Sequence, residues 1–309
     1  MSAIVIVAFG QPGRGSFNEA AERAQARLHD KGVPAVLTWV AERDPGRRAE
    51  RLREIAGERP SLIVAHGGQG DGPVAQAAAD FPALPFVITQ GHFLAPNVAN
   101  YEVLQEQSAF LAGVLSAARY EPERIAHLSG DPVRPGLAGR AAFAQGVRLQ
   151  SGQPLRHTGF NGNQHDVELA VRNTRYFADR GVQVLFTMMD GGREGVDAVC
   201  RERGLRQIAN VRNWVETDPQ LYWASAVADS AWAIEQAVLD FVQGRLALGQ
   251  RIQTGLENPD VVRLATGPDL NAAERAVLDD WSQRLLAGEL VLETRFEGEE
   301  SPFSVVSQA

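Results

Sequence analysis

Apolar residues along this chain recur in two forms: short continuous runs, and longer stretches at helical spacing. The first form marks strands buried on both faces of a parallel sheet, and the second marks helices packed against it. Ile4 to Ala8 is the first run, Val33 to Val40 the second, Ser61 to Ala65 the third and Phe86 to Thr89 the fourth. Helical spacing separates them, from Ser16 to about Lys31, from Arg47 to Gly57 and from Pro73 to Asp80. Ser16 with Glu19 predicts a capping box at the first helix. The β-α-β-α-β-α-β order predicts an α/β fold, a doubly wound parallel sheet with right-handed crossovers.

The plan repeats in the second half. Runs at Ile125 to Leu128, around Pro154 to Gly159, at Val182 to Met188, Gln207 to Val211 and Leu221 to Ala226 predict strands. Helices are predicted over Gly136 to Gln150, Asp166 to Arg180, Glu194 to Arg203 and Asp229 to Val242. The tail alternates short strands with a helix from Asn271 to Ala287. Between the halves, Ala109 to Ala118 sets small residues (Ala109, Ala112, Gly113, Ser116, Ala117) among large apolar ones. That pattern predicts a buried helix approached closely by another backbone. Glu121-Pro122-Glu123-Arg124 ends it, so it is expected to close the first lobe. The expected lobes are residues 1–118 with about 227–268, and residues 119–226 with about 269–309. Two such lobes predict a ligand cleft between them, facing the carboxyl ends of the strands.

Composition narrows the function. The 309 residues are 44% hydrophobic and 22% charged, with a formal net charge of -8 and no basic run, which argues against a nucleic-acid partner. No stretch approaches the ~18 apolar residues of a membrane span. The chain enters its first strand without a secretory n-region or cleavage site. It is therefore expected to be cytoplasmic, or to be periplasmic or extracytoplasmic after removal of a signal peptide. Cys200 is the one cysteine and reads as a core thiol.

The loops that follow strands hold the candidate chemistry. Gly10-Gln11-Pro12-Gly13-Arg14-Gly15 is neither G-x-G-x-x-G nor a Walker loop, and Trp39-Val40 stand where a dinucleotide site needs an acid. No cofactor is expected. His66, followed by Gly67 and Gly68, is placed to contact a ligand; His92, His165 and Asp166 lack metal-ligand spacing, and no G-x-S-x-G elbow occurs. These absences argue against an enzyme. Phe17, at the mouth of the first loop, and Trp214, after a strand end in the second lobe, are aromatics placed to stack on a flat ring.

Several motifs together resemble the basic membrane protein family of ABC-importer solute-binding proteins. They are Ser16-Phe17-Asn18-Glu19-Ala20-Ala21, Pro96-Asn97-Val98-Ala99-Asn100-Tyr101-Glu102 with Phe110-Leu111-Ala112-Gly113, and Asp190-Gly191-Gly192 before a helix. The resemblance runs from about Ile4 to Glu293. It implies a two-lobe type I periplasmic-binding-protein fold with a three-segment hinge, ligand capture by hinge closure and delivery to an ABC permease. It also implies a heteroaromatic ligand, since most studied members bind purine nucleosides. Phe17 matches the phenylalanine that stacks on the base, Asn18 its polar neighbour, Gly191 and Gly192 the glycine loop beside the ribose, and Asn97 the asparagine of the N-V motif.

This sequence departs from that pattern at several anchors. Gly13-Arg14-Gly15 stands where the family carries an acidic pair, and Thr89-Gln90-Gly91 where strand four ends in aspartate. Ala209-Asn210-Val211-Arg212-Asn213 replaces a G-V-D strand end, and Ala226-Val227-Ala228 follow Ser225 without the usual lysine. A site lacking those anchors favours another ligand, such as a nucleobase, a modified purine or a flavin. Arg14 and Arg212 favour an acidic group on it. The expected ligand-binding residues are Phe17, Asn18, Arg14, His66, Gln90, Asn97, Met189, Asp190, Gly191, Asn213 and Trp214. A cytoplasmic sensor on the same fold, and a nucleoside-processing enzyme using Asp71, Asp131, Asp166 or Asp190, stand as alternatives.

Overall fold

The structure, a computed structural model, describes residues 3–12 and 17–306. In chain order the first half forms β1 (Ile4–Phe9), α1 (Glu19–Asp30), β2 (Ala35–Val40), α2 (Pro45–Gly57), β3 (Leu62–His66), α3 (Asp71–Asp80), β4 (Phe86–Thr89), β5 (Val98–Val103) and α4 (Gln105–Arg119). The second half forms β6 (Ile125–Ser129), α5 (Arg134–Ser151), β7 (His157–Phe160), α6 (Val167–Ala178), β8 (Val184–Met188), α7 (Arg193–Arg203), β9 (Arg206–Val211) and β10 (Tyr222–Ala228). It ends with α8 (Ser230–Val242), β11 (Arg251–Thr254), β12 (Val262–Thr266) and α9 (Ala272–Leu286).

The chain divides into two units, each with its own six-stranded sheet. The first takes the chain up to Val103 and Asp229–Thr254. Its sheet runs β11-β5-β4-β3-β1-β2 with every neighbour parallel. The second takes Leu104–Ala228 and the chain from Gly255 on, with the order β12-β10-β9-β8-β6-β7, where only β12 is antiparallel. In both units the order reverses beside the first strand of the unit, the arrangement that opens a crevice at the carboxyl ends of the strands.

Most strands stand where the apolar runs place them. β5 is the exception: Asn100 and Glu102 interrupt its apolar pattern, yet all six of its residues are buried. The expected helix start at Ser16 lies outside the described residues; Asn18 is the N-cap of α1, and its side chain makes no capping bond.

The expected lobe boundaries are displaced, and packing gives the reason. A Cβ at Gly113 of α4 would collide with the carbonyl oxygen of Phe143 on α5, and one at Gly146 of α5 with that of Phe110 on α4. The two helices thus touch backbone to backbone, and α4 opens the second unit instead of closing the first. β12 pairs with β10 and also belongs to the second unit. The chain therefore passes between the units at Val103/Leu104, Ala228/Asp229 and Thr254/Gly255.

After α9 the tail wraps the second unit. Val291 and Glu293 pair through their backbones with the Gln145 carboxamide, at 3.0 Å each. Ser301 N–H donates to Thr158 O at 2.9 Å, and Val305 N–H to Phe160 O at 3.2 Å, along the outer edge of β7. Phe303 meets the edges of Tyr176 and Phe177 at 5.2 and 5.4 Å. Arg140, only 3% exposed, pairs with Glu300 and lies over the rings of Phe160 and Phe296. The tail thus protects a sheet edge and neutralises a buried cation.

Two predictions follow from this packing. Deleting residues from Gly288 onward exposes the β7 edge and leaves Arg140 uncompensated; chemical denaturation should record a loss of about 3 kcal/mol or more, with aggregation. His127 in β6 is fully buried between the hydroxyls of Thr158 and Ser129, at 2.9 and 2.7 Å, and burial holds its pKa well below 6.5. The unfolded chain takes up a proton near pH 6.5 that the folded chain refuses, so stability falls as pH drops below that value. The urea midpoint should decline from pH 7 to 5, with a shallower slope in His127→Leu.

Candidate functional site

Parallel strands bring the loops after β1, β3 and β4 to one face of the first unit. Gly10 follows β1 with a φ of +136°, and a Cβ there would sit 2.9 Å from the Asn18 amide. Phe17 follows and is half-buried. Its ring stacks on His66 at the end of β3, with centroids 4.4 Å apart and planes 16° from parallel. His66 Nε2 lies 2.9 Å from the Phe17 carbonyl oxygen, and Nδ1 lies 2.8 Å from the Thr89 hydroxyl. A carbonyl only accepts, so Nε2 carries the proton and Thr89 donates to Nδ1. Burial holds the His66 pKa down to about 4, and the ring is neutral at physiological pH. The Asn18 carboxamide, which lies near Gly10, makes no hydrogen bond among the described residues.

Two expected contacts leave the site on geometric grounds. Asn97 precedes β5 at the amino edge of the sheet, opposite the strand-end face. Its Nδ2 donates to the carbonyls of Ala78, Phe81 and Leu84 at 3.1–3.2 Å, closing the end of α3 and the turn beyond it. The Gln90 side chain is also committed: Oε1 accepts from Val103 N–H at 2.6 Å and Nε2 donates to Val103 O at 3.1 Å. A cavity of about 730 Å³ in this unit, lined by Ala78, Pro82, Pro85, Phe93, Asn97 and Leu246, lies at that same amino edge and not beside Phe17.

The second unit carries its own strand-end face. Met189 follows β8 but is 1% exposed and packs in the core, so it presents no surface to a ligand. Asp190 and Gly191 are partly exposed beside it, and Gly191 N–H points to His165 Nδ1 at 3.3 Å. Arg193 opens α7 and is 4% exposed. It donates to Met189 O and Asn210 Oδ1, both at 2.7 Å, and its guanidinium lies 4.6 Å from the Trp214 ring centre. Burial lowers its pKa from the ordinary value. Arg212 covers the same ring at 3.9 Å. Trp214 gives its indole N–H to Asn210 O at 3.0 Å, and Asn213 donates to Glu216 at 2.6 Å while its own buried Oδ1 has no partner among the described residues. Trp214 is thus held by arginines and backbone.

Of the expected residues, the structure gathers Phe17, Asn18 and His66 in the first unit, and Asp190, Gly191, Asn213 and Trp214 in the second. Arg14 lies outside the described residues. Thr89 and Arg193 were not anticipated. Arg193 directly follows Asp190-Gly191-Gly192, but its burial is a tertiary fact. Each unit also ends one central strand in a left-handed residue that is not glycine: Gln90 after β4 (φ +58°) and Val211 of β9 (φ +72°). β4 and β9 hold corresponding places in the two sheets. Such backbone, costly for a β-branched residue, clusters at functional sites. Among the described residues no group of acidic, histidine or cysteine side chains is placed to hold a metal. No described helix is long and apolar enough to cross a membrane.

A family model for PnrA-like ABC transporter substrate-binding proteins (Bmp) matches residues 6–287. An ABC-transporter solute-binding protein from Aeropyrum pernix K1 is 18% identical and has a TM-score of 0.80, over 94% of this chain and 93% of that one. A transcriptional activator of the comK gene from Bacillus halodurans is 17% identical with a TM-score of 0.76, over 93% and 98%. An ABC-transporter solute-binding protein from Conexibacter woesei is 22% identical with a TM-score of 0.72, over 96% and 100%. The two largely parallel sheets are those of the type I periplasmic-binding-protein fold. Comparison with curated proteins gives no match.

The corrected position of Asn97 is testable. Asn97→Ala should lower stability by about 1–3 kcal/mol in urea denaturation, because three carbonyls lose a donor, and should leave ligand affinity unchanged in calorimetric titration.

Proposed function

Because this chain belongs to the Bmp family of PnrA-like ABC transporter substrate-binding proteins, we propose that it captures a small heteroaromatic solute outside the cytoplasm and hands it to an importer permease. The solute class is a purine nucleoside, a nucleobase or a related flat heterocycle. One observation carries this reading: half-buried Phe17, its ring backed by His66, is followed directly by Asn18, whose carboxamide makes no hydrogen bond among the described residues. A ring offers a stacking face of little polarity, and a carboxamide at the next residue can offer donors and an acceptor to the edge of a heterocycle. Capture and release require no bond to change, and no catalytic role is assigned to any residue.

The missing anchors shape the choice of solute. Thr89 and Gln90 stand where family members end this strand in an acid, and both side chains are committed within the protein. Asn210 occupies the place of the expected ribose-gripping aspartate region, and its Oδ1 is taken by Arg193. A site whose polar groups are already paired gains little from ribose hydroxyls. The base, or another flat ring, is therefore the preferred solute over the intact nucleoside. A ligand sensor is the second reading, supported by the likeness to a transcriptional activator.

A thermal-shift panel on refolded, ligand-free protein tests this. Purine and pyrimidine nucleosides, free bases, xanthine, urate and riboflavin are compared. A true ligand at a thousandfold excess over its Kd stabilises by about 4 kcal/mol. A free base or flavin should give the largest shift, and Phe17→Ala should weaken its binding at least tenfold. No shift with any heterocycle would sink the proposal.

A further inference from the structure

The sequence marks His66 as a ligand contact, but the structure leaves it no means to be one. It is 2% exposed, both ring nitrogens have partners, and one ring face is covered by Phe17. A hydrogen-bond relay runs through it. Gly67 N–H donates to Thr89 Oγ1 at 3.2 Å, Thr89 donates to His66 Nδ1, and His66 Nε2 donates to the Phe17 carbonyl oxygen. The relay joins the ends of β3 and β4 to Phe17, the residue before the N-cap of α1. Gly67, with φ +99°, completes the seat: a Cβ there would press on the Phe17 ring at 3.2 Å.

We propose that His66 is a positioning residue for the Phe17 stacking platform, gripping that residue by its carbonyl and by its ring, and never touching the ligand. This rests on the reading of Phe17 as the stacking residue. A single contact would leave the phenylalanine a rotational freedom. Carbonyl bond and ring stack together fix both its backbone and the plane of its side chain. A platform ordered in advance spares the ligand the ordering of a side chain and its loop. The arrangement requires a neutral imidazole with the proton on Nε2. A second proton on Nδ1 would meet the Thr89 oxygen and leave the Thr89 hydroxyl hydrogen without its acceptor. Thr89 on β4 and Phe17 before α1 are uncharged. Arg23 of α1 is the charged group that acts on the ring, and it too disfavours the imidazolium.

The first test needs no ligand. Chymotrypsin cleaves after phenylalanine, so it reports whether Phe17 leaves its seat. The Phe17–Asn18 bond should be cut at least tenfold faster in His66→Asn and in Thr89→Val, read by mass spectrometry, with cleavage at sites in the second unit unchanged. His66→Phe, which keeps a ring for stacking but donates nothing to the carbonyl, should fall between. Thermal melts identify any variant that fails to fold, and Thr89→Val then carries the test alone. Unchanged cleavage in folded variants would overturn the proposal.

The second test uses adenine as probe in calorimetric titration. His66→Asn should weaken binding about tenfold in the native background and have no further effect beside Phe17→Ala. Additive losses would mean that His66 contacts the ligand directly, and would also overturn the proposal. If Phe17→Ala leaves adenine binding intact, the stacking reading fails, while the cleavage experiment still decides whether His66 holds Phe17.

Discussion

The backbone contact between α4 and α5 is the constraint on which the second unit rests. Gly113 and Gly146 each face a carbonyl oxygen of the other helix, and no side chain fits at either position. Around that contact Phe110, Val114, Leu115, Phe143 and Val147 bury completely and form one core with β8, β9 and β10. Interiors packed at this density transmit shape without adjustment, so the crossing of two helices fixes where the sheet beneath them lies. It also decides where the chain changes units. A helix committed to α5 cannot serve the first sheet, and the crossing falls at Val103/Leu104.

Sheets of parallel strands then do the rest. Every strand of such a sheet ends on the same side, and loops from distant parts of the chain converge there. In the first unit this brings Phe17, His66 and Thr89 together, although Phe17 and Thr89 stand far apart in sequence. In the second it gathers Asp190, Arg193, Asn210 and Trp214. Both faces carry a left-handed, non-glycine residue at the corresponding central strand, Gln90 and Val211. At Gln90 the surroundings explain the conformation: its carboxamide bonds both backbone groups of Val103, extending the β4–β5 ladder by a side chain to the last residue before the chain leaves the unit.

The tail after Ala287 lies beyond the region matched by the family model. It behaves nonetheless as an integral part of the second unit. It pairs with the outer edge of β7, seats Phe303 against Tyr176 and Phe177, and brings Glu300 to the buried Arg140. Glycines at 159 and 162 make room for Phe303 and Val305. A buried guanidinium is tolerable only with its counter-charge in place, so Arg140 and the tail are meaningful only together.

Apolar runs and helical spacing determined the succession of strands and helices, because a strand buried on both faces must be apolar throughout and a packed helix must carry a stripe. The small residues of α4 announced a close backbone approach, and the motif around Phe17 announced a stacking residue. What the sequence could not supply was partnership. β5 buries Asn100 and Glu102 and so hides from hydropathy; α4 could have packed on either sheet; Asn97 and Gln90 are polar residues near strands whose hydrogen bonds turn inward. Arg193 and Thr89 gain their places only when distant strand ends meet. A side chain's type limits the bonds it can make, but the tertiary structure alone decides whether a fellow residue has already taken them.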